Sequence, residues 1–290
     1  MNLRTHPSSD ANLLPVAVLI LAMVGFQTGA ALAKTLIPVV GASGAVALRL
    51  FYATLMLWLV WRPWRMRVGL QAARTIVIYG IALGSMNLLF YCALQRIPLG
   101  IAVALEFTGP LAVAVAAAIR PLDFLWVALA VLGVLMVLPL GGASHALDWI
   151  GIAYALGGGA CWAMYIVFGR RAGLQSGGQT TAMGMLIGAI CIAPFGVAHA
   201  GALLLKPEIL PTALGVAFLS SALPYSLEMY SMTRLPARVF GVLMSLDPAL
   251  AAASGLVLLG EQLSWLQWTA IACIVLASAG SAATHQAETP

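Results

Sequence analysis

Charge is what this sequence has least of. Of its 290 residues 8% are charged and 62% hydrophobic, where a soluble domain carries about 25% charged and about 45–50% apolar residues. So little charge cannot wet the surface of a globule this size, which excludes a water-soluble enzyme and a disordered chain. Lysine is almost missing: Lys34 and Lys206 stand against 12 arginines. Neither lies in a G-x-x-x-x-G-K-[ST] loop, so ATP hydrolysis by this chain is excluded. The four cysteines (Cys92, Cys161, Cys191, Cys273) sit singly in apolar runs with no C-x-x-C spacing, which removes a disulfide scaffold. The four histidines (His6, His145, His199, His285) form no H-E-x-x-H and no bis-histidine pair, so neither a metalloprotease nor a haem protein is supported. No Asp-rich motif points to a prenyl or phosphoryl transferase. No metal and no cofactor are expected.

What is present is apolar sequence in long runs. A bilayer span needs about 20 mostly apolar residues, and the runs between charged or Gly/Pro-rich breaks predict ten: 13–33, 42–61, 74–95, 97–118, 122–140, 149–169, 179–199, 209–230, 235–258 and 264–283. This is the pattern of an all-α membrane protein with short loops and no separate soluble domain. Ala31-Leu32-Ala33 imitates a signal-peptide cleavage site. The apolar stretch before it is too long for a signal core of about 7–15 residues, so the reading is an uncleaved first helix.

Sidedness follows from arginine and lysine. With the N-terminus inside, one face receives Arg4, Arg62, Arg65, Arg67, Arg74, Arg120, Arg170, Arg171, Arg234 and Arg238, and the other Lys34, Arg96 and Lys206. By the positive-inside rule the first face is cytoplasmic, with both termini on it. The net charge of +5 therefore reads as orientation, not as nucleic-acid binding.

The chain also repeats itself at an offset of 138 residues. Arg96, Pro98, Pro110 and Asp123 recur as Arg234, Pro236, Pro248 and Glu261, all rare residue types here. The offset divides the chain into two five-helix units, 1–145 and 146–290. An odd number of spans per unit makes the second enter the membrane inverted, the architecture of secondary transporters that bind substrate where the repeats meet.

Ionisable residues within spans are costly and mark cavities or partners. Glu106 lies mid-span in Ala104-Leu-Glu-Phe-Thr-Gly-Pro110. Pro110 lacks an N–H and obstructs the carbonyl four residues back, which is that of Glu106. The freed carbonyl, the carboxyl and Thr108 then suit a substrate ammonium, and a buried carboxyl that meets a cation can exchange it for a proton. Asp247, before Pro248, is a second proton-coupling candidate, although it aligns with Gly109 rather than Glu106. Glu228 is expected to pair with Arg234 or Arg238. Arg49 either snorkels outward or partners a carboxylate. Asn87 and Gln27 are expected in interhelical hydrogen bonds. Glycines such as Gly157-Gly158-Gly159 read as close-packing positions, and Trp61, Trp64 and Trp149 as interfacial anchors.

Three segments carry a resemblance: Ile97 to Pro110, Gly159-Ala-Cys-Trp-Ala-Met-Tyr165 and Ala222-Leu-Pro-Tyr-Ser-Leu-Glu228. They resemble bacterial threonine/homoserine exporters, in the EamA-type branch of the drug/metabolite transporter superfamily, and the likeness spans nearly the whole chain. The resemblance implies two inverted five-helix repeats in the inner membrane and proton-driven export of small amino acids. Its partners are then a small amino acid, protons and the lipid bilayer. A zwitterion also needs a donor for its carboxylate, and Arg49, Asn87 and Tyr225 are the candidates. Two departures are visible: Asp-Pro at 247–248 where the family more often has Glu-Pro, and no Lys or Arg after Arg238. Two rival readings remain, an exporter of the same fold for aromatic amino acids, purines or drugs, and a non-transporting membrane sensor or chaperone. A wide aromatic cavity favours the first, whereas Ala102-Val-Ala-Leu lining favours small cargo.

Overall fold

The computed structural model describes residues 13–116, 121–137, 148–173, 177–232, 234–235 and 237–285. Arg4, Arg120, His6, His145, Pro236 and the boundary between the two expected units lie outside the described residues, as do the side chains of Asp123, Arg170, Arg238 and His285. Among the described residues the secondary structure is helical, without strands. Six segments are long and apolar enough to cross a bilayer: Leu13–Trp61, Leu70–Leu94, Trp149–Gly169, Gly178–Leu205, Pro207–Glu228 and Val242–Leu259. Leu99–Val113, Phe124–Met136 and Trp265–Ser281 are shorter apolar helices. Large apolar side chains such as Leu59, Phe124, Ile190, Phe195 and Val257 stand exposed on the outside, which suits lipid and not water. The chain is a multi-pass membrane protein.

Helix α1 spans Leu13–Trp61, where the sequence predicts two spans separated by a loop at 34–41. The loop is absent: helix continues to an elbow at Gly41, whose φ of 71° and ψ of 170° fall in a region open essentially to glycine alone. A Cβ there would also run into the His199 ring. One residue thus turns the chain where a loop is expected. The first arm belongs to the core, with Ala30, Ala31 and Ala33 fully or almost fully buried.

Helix α2 (Leu70–Leu94) is followed by two short helices, α3 (Leu99–Glu106) and α4 (Thr108–Ala116), and then by α5 (Pro121–Val137). Next come α6 (Trp149–Gly173) and α7 (Gly177–Ala200). Helices α8 (Leu210–Ala217) and α9 (Leu223–Met232) are joined by a π-helical turn at Phe218–Ala222. Helices α10 (Ala237–Met244) and α11 (Asp247–Leu259) precede α12 (Trp265–His285). The fourth and ninth expected spans are therefore both broken, at Phe107 and at Ser245–Leu246, shortly before Pro110 and Pro248. Proline cannot donate the helix bond, so the turn before it tightens: Ser245 N–H bonds to Val242 O at 3.2 Å and Leu246 N–H to Leu243 O at 3.0 Å. At the other break Thr108 Oγ1 donates to Leu105 O at 2.6 Å.

Around the core α1 packs on α7, α8, α9 and α11, α2 on α6 and α7, α3 on α6 and α11, and α5 on α12. The tightest crossing joins α4 to α6, where a Cβ on Gly109 would fall on the Gly159 carbonyl. Only glycine at both positions allows two backbones this close.

Candidate functional site

Two adjoining compartments lie at the centre of this packing. The inner one, of about 40 Å³, is lined by Gln27, Arg49, Asn87, Glu106 and Asp247, together with Phe26, Met86, Phe90, Val103 and Trp162. The second, of about 80 Å³, shares Phe26, Met86, Trp162 and Asp247 with it and adds Tyr165, Tyr225 and Glu228. Helices distant in sequence thus bring Gln27, Arg49, Asn87, Glu106 and Asp247 to one place, and each is at most 7% exposed.

The position of Glu106 depends on the break after it. It is the last residue of α3, and its Oε1 lies against Gly158, where an added Cβ would stand 3.0 Å away. The glycines of α6, expected first to serve packing, leave room for this carboxyl. Its backbone carbonyl faces Gly159, so the freed carbonyl meets α6 and not the substrate position anticipated from the sequence. Glu106 Oε1 has no hydrogen-bond partner among the described residues.

Asp247 opens α11 and accepts a 2.8 Å hydrogen bond from Gln27 Nε2. The bond crosses from the first arm of α1, so Gln27 is interhelically bonded as expected. A carboxylate only accepts, which leaves the Gln27 Oε1 directed elsewhere, and it too has no partner among the described residues. Buried polar atoms in folded proteins are overwhelmingly paired. Two unpartnered acceptors, from Glu106 and Gln27, in one small compartment are donor-seeking groups.

Arg49 neither snorkels nor pairs with a carboxylate. It is 1% exposed and donates through Nε to Ser221 Oγ at 3.0 Å, through Nη2 to Ser220 O at 2.7 Å and through Nη1 to Tyr91 Oη at 3.4 Å. Its guanidinium also lies 5.3 Å and 5.5 Å from the ring centroids of Phe26 and Tyr91. Neither ion pair found among the described residues, Lys34–Glu261 or Arg96–Asp148, uses it. Neutral dipoles and π-faces hold this cation in place, leaving an anion to be met in the compartment.

Two sequence-based assignments change, and a third is decided only in part. Asn87 bonds back to Leu83 O at 2.8 Å within α2, not to another helix. Thr108 turns away: after its bond to Leu105 O it lines a separate apolar recess with Leu111, Val127 and Leu156, since the break at Phe107 rotates α4 relative to α3. Glu228 lines the second compartment, and among the described residues no ion pair joins it to Arg234, whose guanidinium stacks 3.7 Å over the Tyr230 ring. The side chain of Arg238, the other expected partner of Glu228, lies outside the described residues. Tyr225 lies in that second compartment, edge-on to Phe26 at 6.4 Å.

Sequence comparison fixes the family. The chain is 54% identical over 275 residues to the threonine/homoserine exporter RhtA of Salmonella typhimurium strain LT2, covering 95% of this chain and 93% of that one. The Escherichia coli K12 threonine/homoserine exporter RhtA is 52% identical over the same shares. Residues 149–282 match the EamA-like transporter family. The chain belongs to the EamA-like transporter family. A more distant relative, the uncharacterized transporter YwfM of Bacillus subtilis, is 26% identical over 76% of this chain and 77% of its own. One crystal structure shares the fold at 18% identity, with a TM-score of 0.64 over 94% of this chain and 96% of the other.

Some of this EamA-like transporter's cavity groups escaped the sequence reading. So did Ser220 and Ser221, which anchor Arg49 from behind the lining. Their signal was Pro224: a proline strips the donor from the carbonyl four residues back, here Ser220 O, and that carbonyl takes the Arg49 Nη2. The carbonyl freed by Pro224 is taken by a cation, whereas the one freed by Pro110 meets α6. Phe26, Phe90 and Trp162 line the compartment without any feature separating them from ordinary core aromatics.

Proposed function

We propose that this chain exports small amino acids of the threonine and homoserine type across the bacterial inner membrane by proton-driven alternating access. The observation that carries the reading is one buried compartment holding an anion-seeking guanidinium, Arg49, beside the unpartnered acceptors of Glu106 and Gln27. An amino acid presents the complement of both, a carboxylate for Arg49 and an ammonium for Glu106. Glu106 binds either that ammonium or a proton, which couples the two flows. Asp247 tunes the same exchange through its bond with Gln27. The identity with RhtA proteins supports the cargo class.

Compartments of about 40 and 80 Å³ fall below the about 300–1,000 Å³ of a ligand pocket, so binding requires the helices to part. Two inverted five-helix units, 1–145 and 146–290, supply the moving parts. With α1 counted as two arms about Gly41 and each broken pair (α3–α4, α8–α9, α10–α11) as one span, the described helices support a count of ten. The breaks at Phe107 and Ser245 are themselves 138 residues apart. Packing of α2 on α6 has its counterpart in α9 on the first arm of α1, and α4 on α6 has its counterpart in α11 on α1. These correspondences support the repeat, and the arginine bias supports cytoplasmic termini.

Counterflow of labelled threonine in proteoliposomes, with and without a pH gradient, tests the reading. Wild-type protein exchanges threonine and concentrates it when the gradient is imposed, while Glu106→Gln inserts normally and loses gradient-driven flux. Gradient-driven flux at the wild-type rate in Glu106→Gln removes Glu106 from the coupling. The lining of Phe26, Phe90 and Trp162 favours a second cargo class, larger apolar amino acids, and competition by leucine or phenylalanine in the same assay decides it.

A further inference from the structure

On the face opposite Arg234, three segments are tied by one ion pair. Lys34 on α1 donates to the Glu261 carboxylate and, at 3.4 Å, to Ile97 O. Glu261, in the turn after α11, accepts the Leu99 N–H at 2.8 Å with its other oxygen. Gly260, at φ 66°, sets the turn, and Gly255 leaves the space that the carboxylate fills. The pair is only partly wet, with side-chain exposures of 26% for Lys34 and 13% for Glu261.

The three tied segments lie beyond the central site on the helices that carry it. Lys34 is two turns beyond Gln27 on α1, Leu99 begins the helix that Glu106 ends, and Glu261 follows the helix that Asp247 begins. The bonds therefore tie α1, α3 and the turn after α11 together on one side of the compartment. Beside Lys34 lies a cavity of about 550 Å³, lined by Pro38, Gly41, Leu94, Gln95 and His199 among others. It is roomy enough for an amino acid where the central compartment is not, and it sits at the Gly41 elbow of α1.

We propose that Lys34 and Glu261 form an outward latch that doubles as a substrate subsite, opened when an amino-acid zwitterion replaces the pair. The substrate carboxylate takes Lys34 and its ammonium takes Glu261. A partly buried charge stripped of its partner is costly, and a zwitterion exchanges both charges at once, leaving neither uncompensated. A molecule with one charge compensates only one side and leaves the latch shut. This subsite rests on the proposed amino-acid export and orientation, and it adds a second selection for zwitterions at the exit.

The test uses the full chain with Cys92, Cys161, Cys191 and Cys273 replaced by serine and a reporter Val103→Cys in the central compartment. Met86→Cys on the facing wall serves as a second reporter. Labelling by a membrane-impermeant thiol reagent is followed from outside in reconstituted vesicles. With the latch intact labelling is slow, and Lys34→Met or Glu261→Gln speeds it at least tenfold. External threonine speeds it with the latch intact, while threoninol, lacking the carboxylate, and N-acetylthreonine, lacking the ammonium, do not. Equal rates with and without Lys34→Met at both reporters overturn the latch; equal acceleration by either half-charged analogue overturns the exchange. Failure of threonine counterflow is a separate result, against the cargo, because the effect of Lys34→Met needs no substrate.

Discussion

A guanidinium buried to 1% exposure, with no ion-paired carboxylate among the described residues, is held by its geometry. Arg49 reaches a carbonyl, a hydroxyl, a phenol and two ring faces at once because its donors form a rigid planar fork. A lysine ammonium is a compact charge that cannot serve all of these together. Arg49→Lys therefore keeps the charge and loses the placement, and threonine counterflow shows the KM raised at least tenfold, about 1.4 kcal/mol. The Gln27–Asp247 bond gives a different test. Gln27→Leu strands the Asp247 carboxyl and costs about 1–3 kcal/mol, read as a lower Tm in detergent. Replacing both partners by apolar groups is far cheaper than removing one, so Gln27→Leu with Asp247→Leu melts above Gln27→Leu alone. Failure of the pair to recover means the bond is not what stabilises this crossing.

Elements were legible in the sequence where they obey hydropathy and illegible where one residue overrides it. Breaks at Phe107 and Ser245 lie beside Pro110 and Pro248, which the sequence marks, and Glu106, Asp247, Arg49 and Asn87 do share a compartment. The missing loop at 34–41 was not readable, because a single backbone angle at Gly41 does the turning and hydropathy carries no φ. The rotation that sends Thr108 to a separate recess was equally hidden, since spacing along one ideal helix says nothing of two half-helices. The elbow gives an element-scale prediction. Gly41→Ala forces an L-residue into a glycine region at about 1–3 kcal/mol and drives a Cβ into His199. Its Tm falls, and adding His199→Ala recovers only the steric part. Complete recovery shows that the backbone at 41 is unstrained.

At the scale of the whole molecule, an ion pair outside the spans sets what pH can change. Arg96 pairs with Asp148, and that bond, followed by the Ile150 N–H, holds the Asp148 carboxyl below its ordinary value. A carboxyl lowered on folding contributes stability above its unfolded value, about 3.9, and loses it as pH falls through the folded one. The pair is therefore fully formed from pH 5 to 8, and Arg96→Gln leaves the shape of a flux–pH profile in that range unchanged. Arg96 also serves the sharpest test of the architecture, since its repeat counterpart is Arg234, 138 residues on. Both side chains are exposed, so both report to reagents in water. If an odd number of spans separates equivalent points, the two lie on opposite faces; if the repeat is merely tandem, they lie on the same one. In the cysteine-free chain in intact cells, Arg96→Cys is labelled by an impermeant thiol reagent, and Arg234→Cys only after the membrane is opened. Labelling of both from outside removes the inverted arrangement, and with it the rocking of one unit against the other on which alternating access depends.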